Sequence, residues 1–411
     1  MRRVIARRTF LAVAAGATTS ASLALSRLDS HELAYYVSDG SVLLHYDVDI
    51  ARAALTRRSS IDLPAAVQYA WPHALQPVLY VACSDMAGRH YVGALKIDSS
   101  GELSTLGKWV RLPDRPIHTS TDIPSENLLV AFNDPSAVRV FAVNRDFSVG
   151  REIPQTGVRD GGFFAHQIRV TPDNRHAILV TRGNSAAGGK AEDPGALKVF
   201  DYQHGVLSHE VSIAPNGGIG FGPRHLDFHP VMPLAYVSLE RENKLLVYRL
   251  EHGTIAADAI FEKGTLAYPD GAANPRQLAA AIHVHPNGRY VYVSNRNDTT
   301  VDFDGRKVLG PGENTITVFA INQTTGEPTA IQFIDTHKVD PRTFALDPMG
   351  VFMTVQHIIP MPVRDGDHVK TNPAGVTTFR VGADGKLTYV SSYDLDTEGG
   401  SQIFWGKIIR L

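Results

Sequence analysis

Along this chain, apolar residues alternate with other residues in short runs, and the runs recur. "LAYYV" ends at Val37, "PVLYV" at Val81, "NLLV" at Val130, "AILV" at Val180, "LAYV" at Val237, "YVYV" at Val293 and "VFMTV" at Val355. Period-two alternation over so few residues predicts half-buried strands. Successive runs lie 44 to 62 residues apart. After each comes a second apolar strand, as in "AVRVFAVN", "KLLVYRL" and "NTITVFAI", and a third often follows, as in "GKLTYVSSYDL". Before most lies another strand that stops at a proline, as in "AHQIRVTP", "PRHLDFHP" and "PRTFALDP". Gly, Pro, Asn and Asp mark the turns between them. No stretch beyond the N-terminus holds helical periodicity. Four short strands per unit and seven units predict an all-β, seven-bladed β-propeller.

The repeat is incomplete at its start. The first unit begins near Leu33 with what should be its second strand, while the C-terminal "QIFWGKIIRL" has no unit of its own. We therefore expect the C-terminal strand to close the ring by supplying the first blade's innermost strand, which removes two free sheet edges. Two longer inserts, "RGNSAAGGKAEDPG" and "RNDTTVDFDGRKVLGPGEN", fall between the second and third strands of the fourth and sixth units. They read as loops that could cover a site. "DTTVDFDG" departs from the calcium-loop pattern, so no metal is expected there.

A chain of 411 residues exceeds a single ordinary core, but repeat architectures escape that ceiling by adding a core layer per unit. A net charge of −2 gives no reason to expect a nucleic-acid or anionic-membrane partner. The lone Cys83 excludes an intramolecular disulfide and argues against a cysteine zinc site. The first residues, "MRRVIARRTFLAVAAGATTSASLALS", have a basic start, an apolar middle and small residues after it. "RRTFL", Arg7 to Leu11, resembles a twin-arginine export signal. The apolar run is short and rich in Ala, Thr and Ser, so no stable membrane insertion is expected after cleavage. The expected organisation is an export signal over residues 1–30, read by the twin-arginine machinery, and a periplasmic propeller over 31–411.

Polar residues sit at particular places in the apolar strands. Six residues before Pro124, Pro172, Pro230, Pro286 and Pro348 stand His118, His166, Arg224, Ala280 and Arg342. Three residues after five of the valine-ended runs stand Ser84, Asn133, Gly183, Glu240 and Arg296. In an antiparallel pair, the start of one strand lies beside the end of the next. Both sets should therefore gather at one mouth of the central channel, with His118, Asn133, His166, Arg224, Glu240, Arg296 and Arg342 forming a polar ring. His225, His229, His283 and His285 read instead as strand histidines satisfied locally or by solvent. Clustered arginines repel one another unless an anion compensates, and a guanidinium holds carboxylate or phosphate oxygens in a fork. An anionic small-molecule ligand follows, with no cofactor and no metal.

At these residues the chain resembles the seven-bladed lactonase family, which includes the bacterial propeller-type 6-phosphogluconolactonases and the fungal carboxymuconate cyclases. "GPRHLDFHP", "AYVSLE", "HPNGRYVYVSNR", "NTITVFAINQTTGE" and "DPRTFALDPMG" carry the resemblance, which extends over about residues 33–411. It implies an active-site set of His166, Arg224, Glu240 and Arg296; the strand alignment adds His118, Asn133 and Arg342 as substrate contacts. The implied activity is hydrolysis of a sugar-acid lactone, with Glu240 or His166 as the base; a cycloisomerase and a binding propeller are the alternatives. The inserted "VTRGNSAAGGKAEDPG" and the divergent "AVQYAWPHALQPVLYV" put the substrate in doubt more than the fold. No Gly-x-Ser-x-Gly elbow, His-Glu-x-x-His run or phosphate loop is present, which argues against serine-hydrolase, zinc-protease and nucleotide chemistry.

Overall fold

The computed structural model describes residues 33–155, 157, 159–268, 276–397 and 400–411. The expected export signal, residues 1–30, lies outside them. Seven four-stranded antiparallel sheets follow one another around a central channel. Their inner strands are Gly406–Arg410 for blade one, then Val67–Pro72, Pro116–Thr121, Ala165–Val170, Pro223–Phe228, Leu278–Val284 and Pro341–Leu346 for blades two to seven. From blade two round to blade one, each inner strand touches the next.

The core is not one mass but seven layers, each between two neighbouring blades. Ile178, Val180 and Leu197 of blade four, for example, pack on Leu226, Val237 and Leu246 of blade five. Alternation makes this possible: each strand turns one set of side chains to the blade before it and the other set to the blade after it. Closure follows the sequence expectation. The C-terminal strand pairs with Leu33–Asp39, from Leu33 against Arg410 to Val37 against Gly406. Tyr35, Leu44 and Ile408 of blade one then pack on Phe352 and Val376 of blade seven.

The blade-four insert leaves the sheet directly after Thr181 and returns at Ala196. Gly183 makes the turn possible: its φ is +65°, and a Cβ there would meet the Asp193 carbonyl oxygen at 2.2 Å. The blade-six insert forms a hairpin, Thr300–Phe303 with Arg306–Leu309. Blade seven carries a second hairpin at the corresponding place, Met361–Asp365 with His368–Asn372, which the hydrophobic pattern did not reveal. Its strands expose most of their residues, so they lack the alternation of core strands. The two hairpins touch, and Arg364 of one lies 4.3 Å above the Phe303 ring of the other.

Candidate active site

Six inner strands share one irregularity near their first residues. Where each pairs with its blade's second strand, the register shifts: between Val67 and Tyr69, Pro116 and His118, Ala165 and Gln167, Pro223 and His225, Ala279 and Ile282, and Pro341 and Thr343. Each shift is a β-bulge, with one extra residue on the inner strand. The extra residue is Gln68 in blade two, Ile117 in three, His166 in four, Arg224 in five and Arg342 in seven. A bulge releases its extra residue from the ladder and re-aims its side chain. That local geometry is what turns His166, Arg224 and Arg342 into the channel mouth.

The same registers correct two sequence alignments by one residue. In blade three the proline is displaced, so His118 pairs with Ala131 as His225 pairs with Ser238. His118 therefore stands level with His225, one layer deeper than His166. In blade four, Ala165 lies opposite Thr181 where blade five has Pro223 opposite Leu239. Arg182, not Gly183, is thus the counterpart of Glu240 and Arg296. The sequence reading missed Arg182 because it fixed the strand end on Val180, whereas Leu179 is the true equivalent of Val237.

Glu240 is the centre of the arrangement. Arg182 Nη1 donates to its Oε2 and Arg296 Nη2 to its Oε1. Arg224 Nε lies 3.2 Å from Oε1. Arg296 also faces Asp340, Nη1 to Oδ1 3.6 Å. Arg342 sits beside these groups with its guanidinium 4.9 Å over the Phe404 ring. Arg182 is steadied by the face of Phe164, 4.0 Å away. Burial alone would raise the Glu240 carboxyl pKa, but Arg296, Arg182 and Arg224 together outweigh it and hold that carboxyl far below the ordinary range. Burial and the Arg296 charge pull Arg342 down to about 10.

Several polar atoms in this cluster make no hydrogen bond. Arg224, only 1% exposed, leaves Nε and Nη1 without a hydrogen bond, Arg296 leaves Nε, and His166 leaves Nδ1. Buried polar atoms of this kind are rare in proteins unless a ligand or water meets them. His166 is buried and held well below its ordinary pKa, first by burial and then by Arg224, so it is neutral at neutral pH.

A second layer lies beneath. The His225 ring is 4.9 Å from His166 and 6.0 Å from His118, and the His118 ring is 4.0 Å from Tyr69. His225 is thus inside the channel, buried and depressed in pKa by burial first and Arg224 second. His229 and His285 do meet the expectation: their Nε2 atoms bond the Gly288 and Gly350 carbonyls at 2.7 and 2.8 Å. His283 faces Asp227 farther down the channel, Nδ1 to Oδ2 3.7 Å. Asn133 ends the second strand of blade three, at the level of Glu240. Its carbonyl accepts from Ser136 Oγ at 3.2 Å, and that hydroxyl accepts from the Ala165 N–H beside His166 at 2.9 Å. The structure thus gathers His166, Arg224, Glu240, Arg296 and Arg342, adds Arg182, and sets His118 deeper and Asn133 to the side. Among the described residues, no group of three or more His, Cys, Asp or Glu side chains is placed to hold a metal ion.

The family described as lactonase, 7-bladed beta-propeller, matches residues 33–358. A 6-phosphogluconolactonase of Bacillus subtilis is 29% identical over 328 residues, 78% of this chain and 86% of that protein. One from Pectobacterium carotovorum is 29% identical over 327 residues, again 78% and 86%. Among solved structures, the periplasmic gluconolactonase of Pseudomonas aeruginosa superposes with a TM-score of 0.64 at 19% identity, covering 90% of this chain and 97% of that one. A protein of Lactobacillus plantarum gives 0.65 at 20% identity, covering 92% and 99%. At such identities the two structures speak for the fold alone, but the family match runs through six blades and takes in every residue of the arginine cluster, and the chain belongs to the seven-bladed β-propeller lactonase family.

Proposed function

We propose that the cluster around Glu240 hydrolyses the lactone of a sugar acid without a metal. One observation carries this reading: among the described residues, Arg182, Arg224, Arg296 and Arg342 form ion pairs with two carboxylates, Glu240 and Asp340, or lie beside them, and buried guanidinium N–H groups are left without a hydrogen bond. An excess of two positive charges at a channel mouth suits an oxygen that becomes negative during reaction. It also suits a substrate or product that bears a carboxylate.

In the proposed reaction, water attacks the lactone carbonyl carbon and gives its proton to His166 Nδ1. The carbonyl oxygen takes the negative charge and is met by Arg224 and Arg296. Collapse of the tetrahedral species breaks the ring C–O bond, and the departing alkoxide takes the proton back from His166. The product is the open hydroxy acid. The low basicity of Glu240 in this setting favours His166 as the base over Glu240. Its work is to align three guanidiniums. The low basicity of His166 favours the second half of the cycle, because its protonated form is a strong acid toward an alkoxide.

The twin-arginine-like segment supports an exported, periplasmic enzyme, for which an unphosphorylated sugar-acid lactone is the more accessible substrate. The similarity in fold to a protein described as a periplasmic gluconolactonase agrees with this. The test is a lactone panel at neutral pH: glucono-δ-lactone, a glucarolactone that carries a free carboxylate, and 6-phosphogluconolactone, followed by acid release with the spontaneous rate subtracted. Turnover of the unphosphorylated lactones that falls roughly 10²–10³-fold in Arg224→Ala and Arg296→Ala is expected. Undiminished turnover in both variants would sink the reading.

A further inference from the structure

The channel has a second compartment. Arg169, Asp227 and His283 each lie three residues beyond His166, Arg224 and Ala280 on the same inner strands, roughly 10 Å farther along the axis at strand rise. With Tyr69, Trp71 and Lys407 they line a cavity of about 390 Å³. Tyr69, His118 and His225 separate it from the arginine cluster, with Tyr69 stacked 4.0 Å from His118 and set edge-on, 6.4 Å away, to His225.

The charges of this cavity do not balance. Asp227 is fully engaged: Arg169 Nη1 is 3.3 Å from Oδ1, His283 Nδ1 is 3.7 Å from Oδ2, and the Val284 N–H donates to Oδ2 at 3.0 Å. These contacts outweigh the effect of its burial and hold its pKa at about 2. Burial keeps His283 neutral in spite of Asp227. Arg169 lies over Trp71, 4.8 Å from the ring centroid. Lys407, on the closing strand and only partly exposed, has no carboxylate within ion-pair distance among the described residues. Two cations thus face one carboxylate, Lys407 feeling Asp227 only from beyond ion-pair distance, and one positive charge is left in excess.

We propose that this cavity is a second ligand site, distinct from the arginine cluster, and that it takes a small organic monocarboxylate held by Lys407. A single excess positive charge matches a monoanion; a phosphate dianion would exceed it and face Asp227. The rest of the wall is mixed: the partly exposed Trp71 offers an aromatic face to a hydrocarbon or aromatic body, beside His73 and Thr343. The volume falls within the range of small-molecule sites.

Benzoate is the probe. Calorimetric titration of the unaltered protein should saturate near one equivalent. Lys407→Gln should weaken binding by about tenfold or more, Arg224→Gln should leave it unchanged, and inorganic phosphate should bind about tenfold more weakly than benzoate. Absence of saturable binding, a Lys407→Gln variant that titrates like the parent, loss of binding in Arg224→Gln, or phosphate binding as tightly as benzoate would each overturn the proposal. Because Lys407 lies on the strand that closes the ring, a second measurement uses the unaltered protein. Acetylation of Lys407 by an N-hydroxysuccinimide ester, mapped by peptide mass spectrometry, should slow severalfold when benzoate is present, and an unchanged rate would count equally against the site.

Discussion

At the scale of single residues, Glu240 presents the sharpest test of how the cluster is held. It is a buried carboxylate with three guanidiniums around it. Replacing it with Gln removes the charge but keeps the shape, and leaves Arg224 and Arg296 facing each other. Breaking a buried pair of this kind costs about 3–5 kcal/mol, so Glu240→Gln should lower the urea midpoint with an unchanged slope. His166 gives a second prediction. Because its folded pKa is depressed, its neutral form survives below the ordinary histidine value of about 6.5. The acid limb of kcat/KM should therefore lie below pH 6.5, and His166→Gln should remove about 10²–10⁴-fold of activity. An acid limb near or above 6.5 would exclude His166 as the base. Most of the cluster was legible in the sequence because strand ends that pack against apolar neighbours rarely need Arg, His and Glu together. Arg182 was not legible: nothing in "AILVTRG" shows whether the strand's fourth or third apolar residue faces the core, and only the pairing with Ala165 decides.

At the scale of strands and hairpins, the bulges explain what patterning cannot supply. A period-two reading assumes that every residue advances the alternation, and each bulge breaks it once, at the place where the site is built. This is why His118 and His225, which alternation sets apart, stand level in the channel. The blade-seven hairpin escaped notice for a related reason, since its exposed strands carry no apolar stripe. Both hairpins leave from second-strand ends, the mouth where Arg296 lies. If they cover the substrate, Phe303→Ala, which removes the platform under Arg364, should raise KM severalfold while the melting temperature stays within about 1–2 °C, as expected for a surface contact. A fall in melting temperature with KM unchanged would assign the pair a purely structural role. The closing strand should behave in the opposite way. Deleting residues 402–411 removes the buried Ile403, Trp405 and Ile408, each worth roughly 1.5–3 kcal/mol, and bares two sheet edges. Loss of a single cooperative melt and rapid proteolysis of blade one are expected, and a truncated protein that melts like the parent would contradict closure.

At the scale of the whole molecule, the ring concentrates neutral histidines along its axis, and this sets how its stability responds to acid. His118, His166 and His225 are all held well below the ordinary value, first by burial and then by the arginines beside them. Burial takes His357 to about 3, despite its bond to the Val339 carbonyl. In the unfolded chain these four accept protons near pH 6.5, whereas in the folded chain they do not until far lower. Between those values the unfolded state binds more protons, so stability falls as the pH falls. Each histidine contributes a slope of up to about 1.4 kcal/mol per pH unit. Glu240 and Asp227, depressed carboxylates, act in the same direction but only below their ordinary values of about 4, so the span from pH 6.5 to 4.5 reports the histidines. Urea unfolding across that span should show a steep loss of stability, and His357→Gln, whose ring bonds Val339 and Thr377 rather than the arginines, should remove one histidine's share of it. A flat profile would mean that the axial histidines take up protons in the folded ring, and the low basicity assigned to His166 would fall with it.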